Sequence, residues 1–395
     1  MKSKATNISV TIRGTSLIKL VAVFSLFLMM IFSISGLLTS LKPSWRISSS
    51  SLNHATTKIT GDMLYQIVGM ENHLFLESLP DKHSSPQISN YLFKLTTNIS
   101  LNDPRSLLGR ELPAFSLYDG KILVAGEGTN YTNMPIESSP PMDILKKEKE
   151  ATLQNTEGVQ DTEKANPPSS PLHSTGDKKV VYVYFSHTRE SFLPYLKGVT
   201  NPDLARHSQM NVSKIGDKLQ EELQSRGIGT TVDKTDIETL LNKKGWTYNQ
   251  SYQESREVVQ NAMTRDRNLT YLIDIHRDSR RREHTTKIIN GVPYAKLAFI
   301  IGAENQNYEK NVAFAKELHE RLDKEYKGLS RGIIEKKGAE TNGKFNQDLS
   351  SNAILIEFGG VDNTFEELNR SAAILAQVFS EYYWQAESVN SQVKP

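Results

Sequence analysis

The stretch Val180–Phe192, VVYVYFSHTRESF, joins an apolar run to a histidine and, three residues later, a glutamate. β-Branched and aromatic residues predominate as far as Phe185, which predicts a buried strand. His187 and Glu190 then follow its carboxyl end. Ligands of open α/β sheets bind in the crevice outside the carboxyl ends of the strands. The stretch therefore predicts an α/β fold and a candidate site at one edge of its sheet.

The C-terminal half of the chain repeats this alternation of strand and helix. Strands are predicted at VVYVYFS, IGTTVDKT, LTYLIDIH, YAKLAFIIGA and AILIEFG. Amphipathic helices are predicted at VSKIGDKLQEELQSRG, NQSYQESREVVQNAMTRD, YEKNVAFAKELHERLDKEY and TFEELNRSAAILAQVFSEYYW. Such alternation predicts a mostly parallel sheet with helices on both faces. We assign this α/β domain, the predicted catalytic domain, to residues 179–388.

The N-terminal region carries a membrane signal. Leu20–Leu38 has no charged residue, and the residues before it include four basic and no acidic side chains. A helix needs roughly 20 apolar residues to cross a bilayer, and flanking positive charge favours the cytoplasm. We therefore predict a cytoplasmic tail at 1–19, a transmembrane anchor at 20–40 and an extracytoplasmic remainder. A cleaved signal peptide is the alternative, although its apolar core is normally only about 7–15 residues long.

Composition divides the region between the anchor and the α/β domain. Residues 41–135 show local helical periodicity without recognisable chemistry and are predicted to form an extracytoplasmic N-terminal region. Residues 136–178 are rich in Pro, Ser, Glu and Lys, which predicts a disordered linker. The net charge of +2 gives no reason to expect a nucleic-acid partner. Because the chain has no cysteine, its possible metal ligands are His, Asp and Glu.

Three predicted strands end in residues that can bind a metal. His187 and His276 each follow an apolar run, and Glu357 lies within AILIEFGG. Carboxyl ends of parallel strands share one edge of a sheet, so these residues and Glu190 are predicted to converge. Two histidines and a glutamate form a common zinc set for hydrolysis. A buried carboxylate such as Glu357 is costly unless a cation or hydrogen bonds compensate it.

Other polar residues near these strands are secondary candidates for the site or are expected to lie outside it. Asp278 is a candidate to orient His276, because a ligating imidazole usually donates its other N–H to a carboxylate or carbonyl. His207 is a reserve ligand in place of Glu190, and the sequence leaves that choice open. His284 and His319 are predicted to be structural or solvated.

Six motifs give the chain a resemblance to a known family. They are SHTRESF (Ser186–Phe192), GDKLQEELQSRGIG with DKT (Asp233–Thr235), IDIHRD (Ile273–Asp278), LSRGI (Leu329–Ile333), FNQDLS (Phe345–Ser350) and LIEFGG (Leu355–Gly360). In this order they resemble the stage II sporulation protein P family of endospore-forming bacteria. That family is similar in fold to zinc-dependent N-acetylmuramoyl-L-alanine amidases.

The resemblance implies a function and a set of site residues. Its members degrade peptidoglycan during engulfment of the forespore, with amidase and endopeptidase activity attributed to them. Zn²⁺ ligands would be His187 and His276, with Glu190 as the third. Glu357 would be the catalytic carboxylate. The family also implies complexes with stage II sporulation proteins D and M.

Three further roles complete the prediction. Arg277 is expected to help stabilise the oxyanion, and Asn346 and Gln347 are expected to contact the stem peptide. Two rival functions are a glycoside hydrolase using Glu190 and Glu357, and a non-catalytic, membrane-tethered cell-wall scaffold. The glycosidase leaves both strand-end histidines unexplained.

Overall fold

Three central strands are buried along nearly their whole length, and this sets the position of the sheet. In the computed structural model, β2 (Val181–Tyr184), β4 (Tyr271–Asp278) and β9 (Asn352–Gly360) lie side by side. Successive side chains of a strand point to opposite faces, so strands covered on both faces read as continuous apolar runs. The structure describes residues 25, 29, 30, 120–141, 144–145, 150–157, 159, 171–337 and 341–392.

A seven-stranded mixed sheet forms the centre of the fold, in the order β1-β8-β7-β9-β4-β2-β3. Its other strands are β1 (Gly120–Ala125), β3 (Thr230–Val232), β7 (Leu297–Gly302) and β8 (Ser330–Lys336). The pairings β1–β8 and β7–β9 are antiparallel, and the rest are parallel. The separate strands β5 (Thr286–Ile289) and β6 (Val292–Ala295) form a hairpin.

Helices cover both faces of the sheet, as predicted. They are α1 (Ser213–Ser225), α2 (Ile237–Lys244), α3 (Ser251–Arg265), α4 (Arg282–Thr285), α5 (Tyr308–Glu325) and α6 (Phe365–Gln392). Apolar residues of α1, α5 and α6 share one core with Val181, Val183 and Ile275. On the opposite face, α3 contributes Val259 to a second cluster with Tyr182 and Tyr184.

The end of α1 illustrates how the sequence sets an element boundary. Its buried residues Ile215, Leu219 and Leu223 recur every four positions along one face. Gly227 follows with φ of +79°, a conformation that favours glycine. A Cβ at Gly227 would lie 1.9 Å from the His173 carbonyl oxygen, so a side chain has no room there.

The domain begins earlier in the chain than predicted. β1 lies in the predicted N-terminal region 41–135 but pairs with β8 as an edge strand of the sheet. Part of the predicted linker 136–178 also contacts the domain, since Ser138 and Leu145 are buried. These contacts join residues far apart in sequence, which composition alone does not reveal. The strands β5, β6 and β8 and the helix α2 are likewise additions to the predicted elements.

The predicted segments 1–19 and 20–40 lie outside the described residues, except for Ser25, Met29 and Met30. Residues 41–119 lie outside them too. Within the described part of the chain, no helix combines the length and apolar character needed to cross a membrane.

Candidate metal centre

Two histidines and a glutamate converge at the carboxyl edge of β2 and β4. Candidate ligand atoms of His187, Glu190 and His276 all lie within 4.8 Å of one another, and all three residues are buried. His187 follows β2, and a turn in which the Glu190 N–H donates to the His187 carbonyl returns Glu190 to the same place. His276 lies on β4, directly beside β2 in the sheet.

The environment of these side chains suits a cation. The buried atoms His187 Nδ1 and Glu190 Oε1 have no hydrogen-bond partner. Glu190 Oε2 accepts from the Arg277 backbone N–H at 3.0 Å and lies 3.5 Å from His276 Nδ1. Polar atoms buried without partners are costly, and a metal bound by them removes that cost. Imidazole and carboxylate are donors that zinc accepts, so these residues fit the predicted ion.

Glu357 lies beside this group and is not one of the clustered ligands. It pairs with His276 across the β4–β9 register, and its Oε2 is buried without a hydrogen-bond partner. Burial raises the pKa of Glu357 to about 8, and the negative charges of Asp278 and Glu190 act in the same direction, against the lowering effect of His276. A dication nearby would lower that pKa and favour the carboxylate.

Carboxylates surround His276 and favour a positive charge there. Burial by itself would lower the pKa of His276, but Asp274, Glu190 and Glu357 outweigh it and raise the pKa to about 10. Burial by itself would raise the pKa of Glu190, but interactions with His187, His276 and Arg277 outweigh it and hold that pKa below its usual value. A site that stabilises a proton on an imidazole in this way also attracts a metal cation.

Asp274, rather than Asp278, is the carboxylate that faces His276. Asp274 Oδ1 lies 3.1 Å from His276 Nε2, and both of its oxygens also accept from Ser186. Asp278 instead accepts from the Ile136 and Arg280 N–H groups and pairs with Arg331. Because side chains alternate along β4, residue 274 shares the face of residue 276. This alternation of side chains along the strand can be read from the sequence alone.

Arg277 does not occupy the predicted oxyanion position. Its side chain is completely buried and donates to the carbonyl oxygens of Ser191, Pro202 and Ala205 and to Ser138 Oγ. It follows His276 on the strand and therefore points to the opposite face. The predicted catalytic role is replaced by a structural one, in which Arg277 joins three segments of the chain.

Asn346 and Gln347 are also placed differently from the prediction. Gln347 is 1% exposed, and its amide accepts from the Gly302 N–H and donates to the Ile300 carbonyl. Asn346 is 3% exposed and donates to Ser255 Oγ. Their side chains brace the loop before β9 and are not presented to a substrate.

His207 does not join the cluster that the described residues form around His187. Its Nδ1 accepts from the Gln209 and Met210 N–H groups, and its Nε2 lies 3.4 Å from Glu150. His319 is structural, as predicted, since its Nδ1 is 2.7 Å from Ser330 Oγ. The choice between Glu190 and His207 as third ligand therefore favours Glu190 on geometry.

Two aromatic rings pack against the cluster on the side of α3. Tyr248 stacks on His187 with 4.3 Å between ring centroids, and Tyr252 meets His187 edge-on at 5.2 Å. Both tyrosines are buried, and burial raises the pKa of each hydroxyl well above its usual value. Their hydroxyl groups therefore stay neutral. Both lie in the segment at the start of α3, and neither was predicted from the sequence.

Comparison with known families shows which family the sequence of the chain matches. The model of the family described as Stage II sporulation protein P (SpoIIP) matches residues 102–380. Stage II sporulation protein P of Bacillus subtilis (strain 168) is 48% identical over 393 residues, a match covering 99% of this chain and 98% of that protein. The resemblance drawn from the six motifs is confirmed.

Solved structures give more distant likenesses. The CwlD amidase of Clostridioides difficile, solved in complex with the GerS lipoprotein, is 15% identical with a TM-score of 0.35, over 53% of this chain and 100% of that one. The N-acetylmuramyl-L-alanine amidase Ami1 of Mycobacterium smegmatis is 12% identical with a TM-score of 0.28, over 51% and 96%. Likenesses this distant carry no argument about mechanism.

Proposed function

Because the chain belongs to the stage II sporulation protein P family, we propose that it is a zinc-dependent peptidoglycan hydrolase of forespore engulfment. The bond cleaved is the amide between N-acetylmuramic acid and the L-alanine of the stem peptide. Stem-peptide cross-links are a second class of substrate. The observation that carries the proposal is the buried group His187, Glu190 and His276 beside Glu357.

The ligand residues are held in place by their neighbours. His187, Glu190 and His276 would bind the ion, which in such a site polarises a carbonyl and acidifies a water. Asp274 orients His276, and the Arg277 N–H fixes one oxygen of Glu190. Contacts of this kind, made to the ligand residues by their neighbours, set the direction of the ligand atoms. Tyr248 covers one side of His187 and strengthens these interactions by excluding water.

Glu357 is the proposed general base. It accepts a proton from the attacking water at Oε2 and then delivers that proton to the leaving amine of L-alanine. A base of this kind works best when its pKa is near the working pH. Burial among apolar neighbours and the negative charges of Asp278 and Glu190 raise the pKa of Glu357 in that direction.

The enzyme is proposed to act outside the cytoplasmic membrane. Residues 20–40 form the anchor in this proposal, and the catalytic domain lies in the septal space between forespore and mother cell. The proposed anchor and topology are supported by the uncharged stretch that follows a basic N-terminus. Peptidoglycan and the stage II sporulation proteins D and M are the proposed partners, on family resemblance.

The contacts of Glu190 argue against the glycosidase alternative. A retaining or inverting glycosidase needs two carboxyl groups about 5–10 Å apart, and both must be free to act on the sugar. One oxygen of Glu190 is bound to the Arg277 N–H, and the other lies 3.8 Å from His187 Nδ1. Such a role also leaves both histidines without a function.

Metal analysis of the purified chain tests the proposal. His187→Ala and His276→Ala should each abolish bound zinc and release of wall fragments with new L-alanine amino termini, because each removes a ligand. His207→Ala is the matched control, since His207 is a buried histidine outside the cluster. Full zinc occupancy in both ligand variants would overturn the assignment. New reducing ends in place of amino termini would favour the glycosidase.

A further inference from the structure

Two neighbouring residues of the loop before β9 have an unusual backbone conformation. Phe345 and Asn346 have φ of +50° and +56°, and both are buried. A positive φ is unfavourable for a residue that carries a Cβ, and it persists only where the surrounding contacts impose it. Strain of this kind is concentrated at active sites and ligand-binding sites. The contacts of the pair therefore indicate what the strain supports.

Contacts on either side of the pair hold the loop in place. Before the pair, the Asn342 side chain accepts from the Phe345 N–H at 2.6 Å. After it, Gln347 is hydrogen-bonded to β7. The Asp348 carboxylate then accepts two hydrogen bonds, of 2.6 and 2.8 Å, from the guanidinium of Arg256 on α3. Because both ends are fixed, the two strained residues keep one position relative to α3.

A chain of hydrogen bonds runs from Asn346 to the carboxylate that faces His276. The Asn346 amide donates to Ser255 Oγ at 2.9 Å, and Ser255 Oγ lies 2.8 Å from Ser186 Oγ. Ser186 Oγ donates to Asp274 Oδ2 at 2.6 Å. All five residues are at most 3% exposed, so the chain is shielded from solvent.

Each hydroxyl has a single hydrogen to donate, and this determines the direction of the bonds. An ionised Asp274 can only accept, so Ser186 donates to it and accepts in turn from Ser255. The Ser255 oxygen then accepts from the Asn346 amide. The competing acceptor for Ser255, the Tyr252 carbonyl, is farther away at 3.4 Å. Every bond in the chain is therefore donated in the direction of the carboxylate.

Both strained residues support His276. Asp274 Oδ1 lies 3.1 Å from its Nε2, which favours the hydrogen on that nitrogen and leaves Nδ1 as the ligand atom. The ring of Phe345 meets Tyr252 edge-on at 5.2 Å, and Tyr252 stacks on His276 with 6.0 Å between ring centroids. One strained residue thus reaches the histidine through hydrogen bonds and the other through an aromatic ring.

We propose that Asn346 is a positioning residue of the metal centre. It acts through Ser255 and Ser186 on the carboxylate of Asp274. That carboxylate in turn fixes the ring of His276, so that Nδ1 is presented to the ion. The inference rests on the proposed function, because it requires that His276 binds the metal. It also accounts for the strain, since the left-handed conformation at Asn346 directs the amide at Ser255.

Zinc titration of Asn346→Gly in the full-length chain in detergent tests the proposal. Glycine adopts a positive φ without strain, so the loop keeps its backbone conformation while the amide is lost. Zinc affinity should fall about tenfold, the lower end of the range for loss of a group that supports a ligand. The visible absorption spectrum of bound Co²⁺ should change too, because it reports the arrangement of ligands around the ion. A residue that only stabilised the loop would change neither quantity in the folded protein.

Asn290→Gly is the matched control. Asn290 also has a positive φ, +52°, but it lies in the turn between β5 and β6. The substitution relaxes the backbone in the same way and removes no hydrogen bond of the chain that leads to Asp274. Its zinc affinity and Co²⁺ spectrum should equal those of the unmodified chain.

A double variant tests the route. Ser255→Ala breaks the chain of hydrogen bonds one step nearer to Asp274 and should weaken zinc binding to a similar extent. If Asn346 acts through Ser255, adding Asn346→Gly to Ser255→Ala should cause no further loss. Losses that multiply in the double variant would contradict the proposal, because they would show that the two residues act independently.

Unchanged zinc affinity and an unchanged Co²⁺ spectrum in Asn346→Gly would also overturn the proposal. If His276→Ala still abolishes metal uptake in that case, the proposed function survives. An unmodified chain that takes up neither cobalt nor zinc would refute both.

Discussion

Glu357 allows metal binding to be tested separately from catalysis, because it is proposed to act as the general base and not as a ligand. It is as buried as the ligands but stands beside the cluster, in register with His276. Its carboxylate is close enough to interact electrostatically with both His276 and Glu190.

Glu357→Gln should therefore leave zinc bound while hydrolysis falls about 10²–10⁴-fold, the range for loss of a general acid–base group. Metal content and the initial rate of wall release measure the two effects. Glu335→Gln is a matched control, because Glu335 is a buried strand glutamate that accepts from Tyr308 on the opposite face. Loss of zinc from Glu357→Gln would instead make Glu357 a ligand.

Arg277 is predicted to matter for folding and not for turnover. Arg277→Lys keeps the charge but cannot reproduce four donations from one planar group. Hydrogen bonds to a charged group contribute about 1.5–3 kcal/mol each, so the free energy of unfolding should fall by roughly 3 kcal/mol. Denaturant unfolding measures this loss, and turnover per folded molecule should stay near the original. A loss of 10²–10³-fold in turnover with unchanged stability would restore the oxyanion role.

Side-chain parity explains which residues of the site were predictable. His187 and His276 end apolar runs, Glu357 lies near the end of another, and parallel strands bring such ends to one edge. The same reasoning, carried two residues back along β4, would have identified Asp274 and excluded Arg277. Asn346 and Gln347 offered no such rule, since a loop has no fixed alternation. Their burial depends on how residues 341–351 pack against β7.

At the scale of elements, β1 depends on two glycines for its approach to β8. Gly332 on β8 has φ of +96°, and a Cβ there would lie 2.0 Å from the Val124 carbonyl oxygen. The pairing shifts register between Ile122 and Val124, just before the Ala125–Gly332 pair. A Cβ at Gly126 would lie equally close, 2.0 Å from the Ser330 carbonyl oxygen.

Gly332→Ala should therefore detach β1, whereas Gly128→Ala should not. Both positions have positive φ, which costs an alanine about 1–2 kcal/mol, but nothing lies within 4 Å of a Cβ at Gly128. Amide hydrogen exchange of residues 120–125 should rise sharply only in Gly332→Ala. Equal protection in the two variants would mean that β8 absorbs the methyl group without releasing β1.

Elements with a strong local pattern were predicted well, and elements defined by distant contacts were not. The strands β2 and β7 and the helices α1, α3 and α5 lie within the segments predicted to contain them, and β4, β9 and α6 overlap theirs and extend past them. β1 and residues 134–138 precede the rest of the domain by tens of residues, and their partners on β8 and β4 lie far along the chain. A polar composition that predicts a linker carries no information about such pairings.

At the scale of the whole molecule, the proposed topology predicts a pattern of protease sensitivity. A protease added to intact protoplasts should cleave the chain beyond residue 40 and spare a tag fused before Met1. The first cut is expected between residues 157 and 171, where the sequence is polar and rich in proline and serine. Immunoblotting for the tag and for the C-terminus follows both fragments. A protected C-terminal domain in intact protoplasts would invert the topology.

The pairing of β1 with β8 means that such a cut would not separate the pieces. Residues 120–138 contact the rest of the domain through the β1–β8 ladder and through the hydrogen bonds Ile136–Asp278 and Arg277–Ser138, none of which needs the intervening peptide. A nicked molecule is thus a complex of two fragments, and under native conditions the N-terminal piece would elute with the C-terminal one.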